Sequence, residues 1–474
     1  MEAVVFEQRL VKRVGAPVVT RLKAVPGLYL VGGIVRDVLI DRPNLDIDLI
    51  TTQMVPEDVI ARFDPIVRVQ FQVNDRFHTR RAVLDNGLIL DVTGLGDLTL
   101  DADMFRRDFT INALAVSLSE NRWLDLSGGE ADLQSRTLRM VSPRNLEDDP
   151  LRLLRAVRLK WELGFALEPR TRETIMNLAP RVIEAAPERI QDELQRLFAL
   201  SPIGSIVRDL YKFNLLFALF PDMKPMASNP ASPLSKLSVL DHTLLALDAL
   251  DAILSNPADP FGAYGPRILD HLQSRHAIPL LRLALLLHDI AKPITQAEID
   301  GNLTFYGHDH VGAALVGKML ENYRFPSDAV EFITTVIRGH LRIGFYSNEQ
   351  DISPRKIYRY FKEFGDAGIA ILVHSLADLR GYDFDFQANP WGEYQPQVMF
   401  ALLDAYFEKN KLIVSPPKLV TGKDLIALGY VPGPAFSIVL GRIEEAQAEG
   451  IVKNRDDALG LARRLFEEVS IPTP

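Results

Sequence analysis

The sequence predicts an α+β head, built as a mixed sheet with helices, followed by an all-α chain to the C-terminus. Three observations predict this. Leu28 to Ile50 reads as strand, glycine turn, short helix and second strand. Further β-prone runs follow before residue 95, two of them joined by Asp85-Asn86-Gly87, a strong hairpin signal. Beyond about Glu147 the apolar residues fall at helical spacing and strand signals become few.

The first unit is LYLVGGIVRDVLIDRPNLDIDLI. Leu28–Val31 is β-prone, and Gly32-Gly33 lack side chains that would block a phosphate from backbone N–H groups. The next helix points its positive end at the same place. Leu45, Ile47 and Leu49 then alternate with Asp46 and Asp48, so both carboxylates share one strand face. They stand about 7 Å apart along the backbone, a spacing suited to a pair of divalent ions. Val67, Val69, Phe71 and Val73 alternate with polar residues, and Asp91 interrupts the apolar run Leu88–Val92. A charge there is costly unless it lies at an edge or joins the other carboxylates as a third acidic group.

FRRDFTINALA, Phe105–Ala115, reads as a helix packed on the sheet, with Arg106, Arg107 and Asp108 near its start. In EDDPLRLLRAVRLKWELGF, Pro150 suits a first helical turn, and Leu151, Leu154, Val157 and Trp161 form one apolar face. Arg152, Arg155 and Arg158 recur every third residue. Seven basic and three acidic residues between Arg136 and Lys160 make this the most basic stretch. Asp149 and Arg152 offer an acceptor beside a donor, which suits either an ion pair or recognition of a base edge.

Five separated elements carry metal-ligating types: His242; His288-Asp289 after the apolar run Leu280–Leu287; His308, with His310 as its alternative; His340; and Asp378. Imidazole with carboxylate suits Mn, Fe, Co, Ni or Zn, and Mg more weakly. Pro230 and Pro233 mark a linker ahead of this region; Asn389–Pro396 and Ser415-Pro416-Pro417 punctuate the C-terminal part.

The net charge of −9 argues against a general nucleic-acid coat but leaves room for a local basic groove. The absence of Cys excludes disulfides, thiolate zinc sites and a cysteine nucleophile. No apolar run is long enough to span a membrane, and Met1–Val14 has no signal-peptide core, so a cytoplasmic location is expected.

GGIVRD followed by LDIDLI resembles the nucleotide-binding signature of the polymerase-β-like nucleotidyltransferases, in particular the class II tRNA nucleotidyltransferase and bacterial poly(A) polymerase family. FRRDFTINALA and EDDPLRLLRAVR resemble that family's next two motifs, and ERIQDEL (Glu188–Leu194) the one after, a supporting element. The resemblance implies addition of C and A to a tRNA 3′ end from CTP and ATP. Asp46 and Asp48 would hold Mg²⁺, with Asp91 a candidate third carboxylate. Gly32, Gly33, Arg36 and Asp37 would shape the triphosphate site, and Arg107, Asp108 and Asn112 would position the ribose. Asp149 and Arg152 would read the base, with Arg155 and Arg158 beside them.

His242, His288, Asp289 and Asp378 resemble the core ligands of the HD phosphohydrolase superfamily. His308 and His340 match its two-metal members, and Lys292 matches a phosphate-holding lysine. An HD phosphohydrolase with the head serving only for RNA binding is therefore the reading from another class. The implied division is a catalytic head, 1–140; a helical neck with the base-recognition motif, 141–228; an HD domain, 229–388; and an RNA-holding tail, 389–474, in which Lys418, Lys423 and Arg442 are candidate phosphate contacts. One departure stands out. Only VTGLGDLTLDADM separates Asp91 from Phe105, where many CCA-adding members carry a longer segment. A CC-adding specialist fits nearly as well, poly(A) addition is a further possibility within the family, and the loop Asn74–Arg81 is a candidate substitute.

Overall fold

The computed structural model describes residues 3–64, 66–74, 78–233, 235–347, 352–383 and 396–469. The chain forms two compact units. The first is Met1–Glu193 with Asp209–Leu219; the second is Leu194–Arg208 with Phe220–Pro474. The predicted head and most of the neck thus fall in the first unit, and the HD region and tail in the second.

The first unit holds a seven-stranded mixed sheet in the order β3-β4-β5-β2-β1-β6-β7. The strands are β1 Leu28–Val31, β2 Asp46–Thr51, β3 Val67–Asn74, β4 Thr79–Leu84, β5 Ile89–Gly94, β6 Leu114–Ser117 and β7 Arg122–Asp125. Only β2 and β5 run parallel; the other neighbours are antiparallel. β1 and β6 are buried throughout, which explains their continuous apolar character. The predicted hairpin forms: Gly87 takes φ +84°, and Leu84 and Leu88 close the turn between β4 and β5. The turn 75–77 of the candidate loop, and the stretch 389–395, lie outside the described residues.

Two local readings are corrected. Ile111, Leu114 and Ala115 do not lie on one helix. A short 3-10 turn, Thr110–Asn112, leads straight into β6. A fully buried strand and a buried helix look alike in a short apolar run, and pairing of Leu30 with Val116 decides for the strand. The region after Glu147 is also not purely helical. Ala297–Ile299 and Asn302–Thr304 form a hairpin around Asp300-Gly301, both at positive φ as a two-residue turn requires.

The remainder is helical. Pro150 caps the helix Leu151–Leu163, which buries Leu151, Leu154 and Val157 and ends at Gly164 in the left-handed conformation. In the second unit, Val239–Ser255, Ala277–Leu287, Ser327–Gly339 and Ala367–Arg380 pack together. Among the described residues no helix is long and apolar enough to cross a membrane.

Candidate functional sites in the two units

In the first unit the strand register assembles three carboxylates. Asp46 and Asp48 are two residues apart on β2, and Asp48 stands directly beside Asp91 on the parallel strand β5. Asp91 therefore joins the Asp46/Asp48 face. It is held there by Arg81 of β4, through bonds of 2.7 and 2.6 Å. Burial, with the Asp91 and Asp46 carboxylates close by, pushes Asp48 up to about 6 despite Arg107. A group that gathers like charge and loses water in this way is suited to a cation.

Gly32 explains itself here. Its φ is +72°. A Cβ at this position would lie 2.9 Å from Arg107 Nη1 and 3.3 Å from Asp48 Oδ2, so only glycine lets the turn pass beneath both. Gly33 has ordinary space around it and opens the helix Gly33–Leu39.

Several predicted nucleotide contacts are committed to internal partners. Arg36 and Asp37 are buried against each other at 2.8 Å, and Arg36 also donates to Asn112 Oδ1 at 2.6 Å. Asn44 bridges this pair to the carboxylates: its Nδ2 donates to Asp37, and its Oδ1 accepts the backbone N–H of Asp46. Arg158 is held by Glu193 and Glu162. The side chains of Arg36, Asp37 and Arg158 are thus occupied by partners within the protein. Arg107 donates to Asp103 and to the Asn112 carbonyl. Burial opposes ionisation of Asp108, yet Arg155, Asn112 and the Phe109 N–H hold it below the usual carboxylate range.

Asp149 sits in the break between the helices Pro143–Asp148 and Leu151–Leu163. Arg189 of the ERIQDEL segment clasps both its oxygens at 3.1 and 2.8 Å, while Arg152 Nε lies 3.6 Å away. Arg152 Nη1 is anchored to the carbonyls of Arg106 and Asn145. Its buried Nε has no hydrogen-bond partner. Sequence reasoning missed Asn44, Asp103 and the Arg189–Asp149 clasp. Asn44 lies two residues before Asp46, a spacing that local side-chain to backbone bonding favours.

The Asp48 shift has a sign that can be tested. A carboxyl raised from 3.8 to about 6 destabilises the metal-free fold as pH rises through that interval, and this cost is absent below it. Asp48→Asn should therefore raise the Tm of metal-free protein at pH 7, by the equivalent of about 3 kcal/mol, with most of that gain gone at pH 4. A Tm at pH 7 equal to or below the parent value would contradict this environment for Asp48.

In the second unit two donor groups share one residue. His242, His288, Asp289 and Asp378 bring ligand atoms within 4.8 Å of one another, and so do Asp289, His308 and His340. All are buried except Asp378, which is partly exposed. His288, His308 and His340 each place Nδ1 on the carbonyl three residues earlier, at 2.8, 2.7 and 2.5 Å. That fixes the tautomer and leaves Nε2 as the ligand atom. His288 Nε2 faces the Asp289 and Asp378 carboxylates at 3.1 and 3.2 Å, a convergence of imidazole and carboxylates that fits a metal ion. His310, the alternative to His308, is exposed and pairs with Asp309 instead. Lys292 is not open to a phosphate. It is buried and already bonded to Asp289 at 2.7 Å, the Ala231 carbonyl at 2.9 Å and Tyr382 at 3.0 Å. In the tail, Arg442 pairs with Glu468.

Three family models match the chain: the poly A polymerase head domain at residues 28–96 and 95–139, the probable RNA and SrmB-binding site of polymerase A at 164–226, and the HD domain at 258–360. His242 and Asp378 flank the last match. The chain is 30% identical to a CC-adding tRNA nucleotidyltransferase of Synechocystis, over 93% of this chain and 94% of that one. It is also 30% identical to an A-adding tRNA nucleotidyltransferase of Deinococcus radiodurans, over 78% and 80%. The Thermotoga maritima CCA-adding enzyme complexed with tRNA shares the fold, with a TM-score of 0.62 and 19% identity over 99% of both chains. With the head, the RNA-binding neck and the HD domain in that order, the chain belongs to the class II tRNA nucleotidyltransferase and poly(A) polymerase family.

Proposed function

We propose that this enzyme adds cytidylates to a tRNA 3′ end, using CTP, and stops at CC. The observation that carries the transfer reaction is the β2–β5 register, which sets Asp91 beside Asp48 on the face that also bears Asp46. Hard carboxylate oxygens suit Mg²⁺, which when bound activates the attacking hydroxyl and neutralises the leaving pyrophosphate. Asp46 and Asp48 would hold these cations, with Asp91 oriented by Arg81 beside them. Gly32 leaves room for the triphosphate next to Arg107. Arg36, Asp37 and Asn44 brace β2 so that Asp46 keeps its place, and Asp108 and Asn112 fix the ribose side. The tRNA 3′ oxygen bonds to the α-phosphorus of CTP as the bond to pyrophosphate breaks; the hydroxyl proton leaves to solvent.

Asp149 and Arg152 read the base. Asp149→Ala is expected to reduce discrimination between CTP and the other nucleoside triphosphates by about 10- to 100-fold, measured as a ratio of kcat/KM values. Unchanged ratios would make the pair only an ion pair.

Two features support the CC reading. The sequence leaves four residues between β3 and β4, and five between β5 and the helix Leu100–Phe105. Neither connection accommodates the longer segment of many full CCA-adding members. Further CC-adding relatives, from Thermus thermophilus and Geobacter sulfurreducens, also align over nearly their whole length, 92% and 99%. The second reading, complete CCA addition from CTP and ATP, is favoured by multifunctional CCA relatives that align over 66% of this chain. End-sequencing of tRNA lacking CCA, after incubation with Mg²⁺, CTP and ATP, separates them. Ends at CC support the proposal; ends at CCA establish the second reading; long A tails overturn both.

For the second unit we propose a two-ion HD centre of transition-metal type (Mn, Fe, Co, Ni or Zn) that hydrolyses phosphoesters. The shared Asp289 and the three tautomer-fixed histidines support it.

A further inference from the structure

The helix Ala367–Arg380 carries Asp378, and one turn before it His374. His374 is fully buried. Neither of its ring nitrogens has a hydrogen-bond partner. A buried polar atom without a partner costs free energy, so a core imidazole with two such atoms is a poor filler. Its surroundings are specific. The His374 ring lies 5.1 Å from that of His288, edge to face, and 5.7 Å from that of His340. The neighbouring Ser375 hydroxyl donates to the His340 carbonyl at 2.7 Å, tying this helix to the same histidine. Unlike His288, His308 and His340, His374 makes no bond to a backbone carbonyl.

The donor sets are unequal. The His242 group offers four protein ligands, whereas Asp289, His308 and His340 offer three. An ion at the three-donor set needs an oxygen from outside the protein. His374 is not among either ligand group, yet it adjoins a histidine of each. We propose that His374 is a substrate-binding residue of this centre, which hydrogen-bonds the phosphoryl oxygen of a phosphoester or phosphate seated at the three-donor set. Neutral imidazole can accept or donate there, so His374 serves a phosphate oxygen in either protonation state. This role rests on the HD centre proposed for the second unit.

The test uses the full chain, Mn²⁺ and inorganic phosphate. His374→Phe keeps a flat ring, slightly larger, and removes both nitrogens; His374→Gln restores a polar end. Three quantities are measured: Mn²⁺ bound per chain, phosphate affinity of the Mn²⁺-loaded protein from paramagnetic broadening of the phosphorus resonance, and Tm in EDTA. The expected result for His374→Phe is unchanged Mn²⁺ stoichiometry, phosphate binding weaker by about tenfold, and a Tm in EDTA no lower than the parent's. His374→Gln should recover part of the phosphate affinity. Unchanged phosphate affinity in His374→Phe would overturn the inference. So would a lower Tm in EDTA for both variants, which would make His374 a structural core residue. Loss of bound Mn²⁺ would overturn it too, by making His374 a ligand. If the parent protein binds no Mn²⁺, the HD reading itself fails, and that outcome is separate from the others.

Discussion

Asp48→Ala is expected to lower nucleotide addition by at least about 10³-fold, the equivalent of roughly 4 kcal/mol of transition-state stabilisation. The affinity for tRNA should stay within about threefold. The reason lies in the sheet. Asp48 is the middle carboxylate, in register with Asp91 and two residues from Asp46, and burial resists its charge. Removing it deletes the oxygen nearest the Arg107 and Gly32 side of the site. It does not remove basic groups that an RNA backbone would use, so binding and chemistry should separate. Steady-state kinetics on tRNA lacking CCA, with a filter-binding measurement beside it, checks both halves. Addition within tenfold of the parent would remove Asp48 from the cation site.

Asp289→Ala carries the second large effect. Asp289 belongs to both donor groups, so its loss should abolish high-affinity transition-metal binding at the HD centre altogether. It should also destabilise the second unit. Asp289 is buried with Lys292 at 2.7 Å and His288 at 3.1 Å. Breaking such a buried pair from one side leaves an uncompensated charge and costs about 3–5 kcal/mol. Nucleotide addition by the surviving folded protein should persist, since none of Asp46, Asp48, Asp91, Asp149 or Arg152 belongs to this unit. Metal analysis and thermal melts in EDTA report the two effects separately. Retained stoichiometric metal would contradict the shared-ligand assignment.

Much of the first site is legible because its information is local. The strand, glycine turn, helix and strand of Leu28–Ile50 follow from periodicity and from Gly32, and the Asp85-Asn86-Gly87 turn fixes β4 against β5. With β5 parallel to β2 in the observed register, Asp91 falls beside Asp48. What stayed hidden is pairing at long range. Nothing in the spacing of Arg158 announces Glu193, or in Asp149 announces Arg189, and these contacts decide which arginines remain open to a ligand. Residues 111–115 misled for a different reason: a strand buried on both faces lacks the alternation that marks an exposed one.

The second site was readable from residue types in order, since His242, His288-Asp289, His308, His340 and Asp378 all converge. The match of Lys292 by position says nothing of the Ala231 carbonyl and Tyr382 hydroxyl that hold it in this structure. His374 left one signal unused: it precedes Asp378 by four residues, one helical turn, within an apolar stretch that offers it no polar partner.

Everything proposed for the first unit depends on the β2–β5 carboxylates holding the cations of nucleotidyl transfer. The decisive observation is anomalous diffraction from crystals soaked with Mn²⁺ and a non-hydrolysable CTP analogue. Mn²⁺ density is expected within ligand distance of Asp46 and Asp48, with the triphosphate running past Gly32. A triphosphate and its Mn²⁺ bound away from those two carboxylates would contradict the assignment.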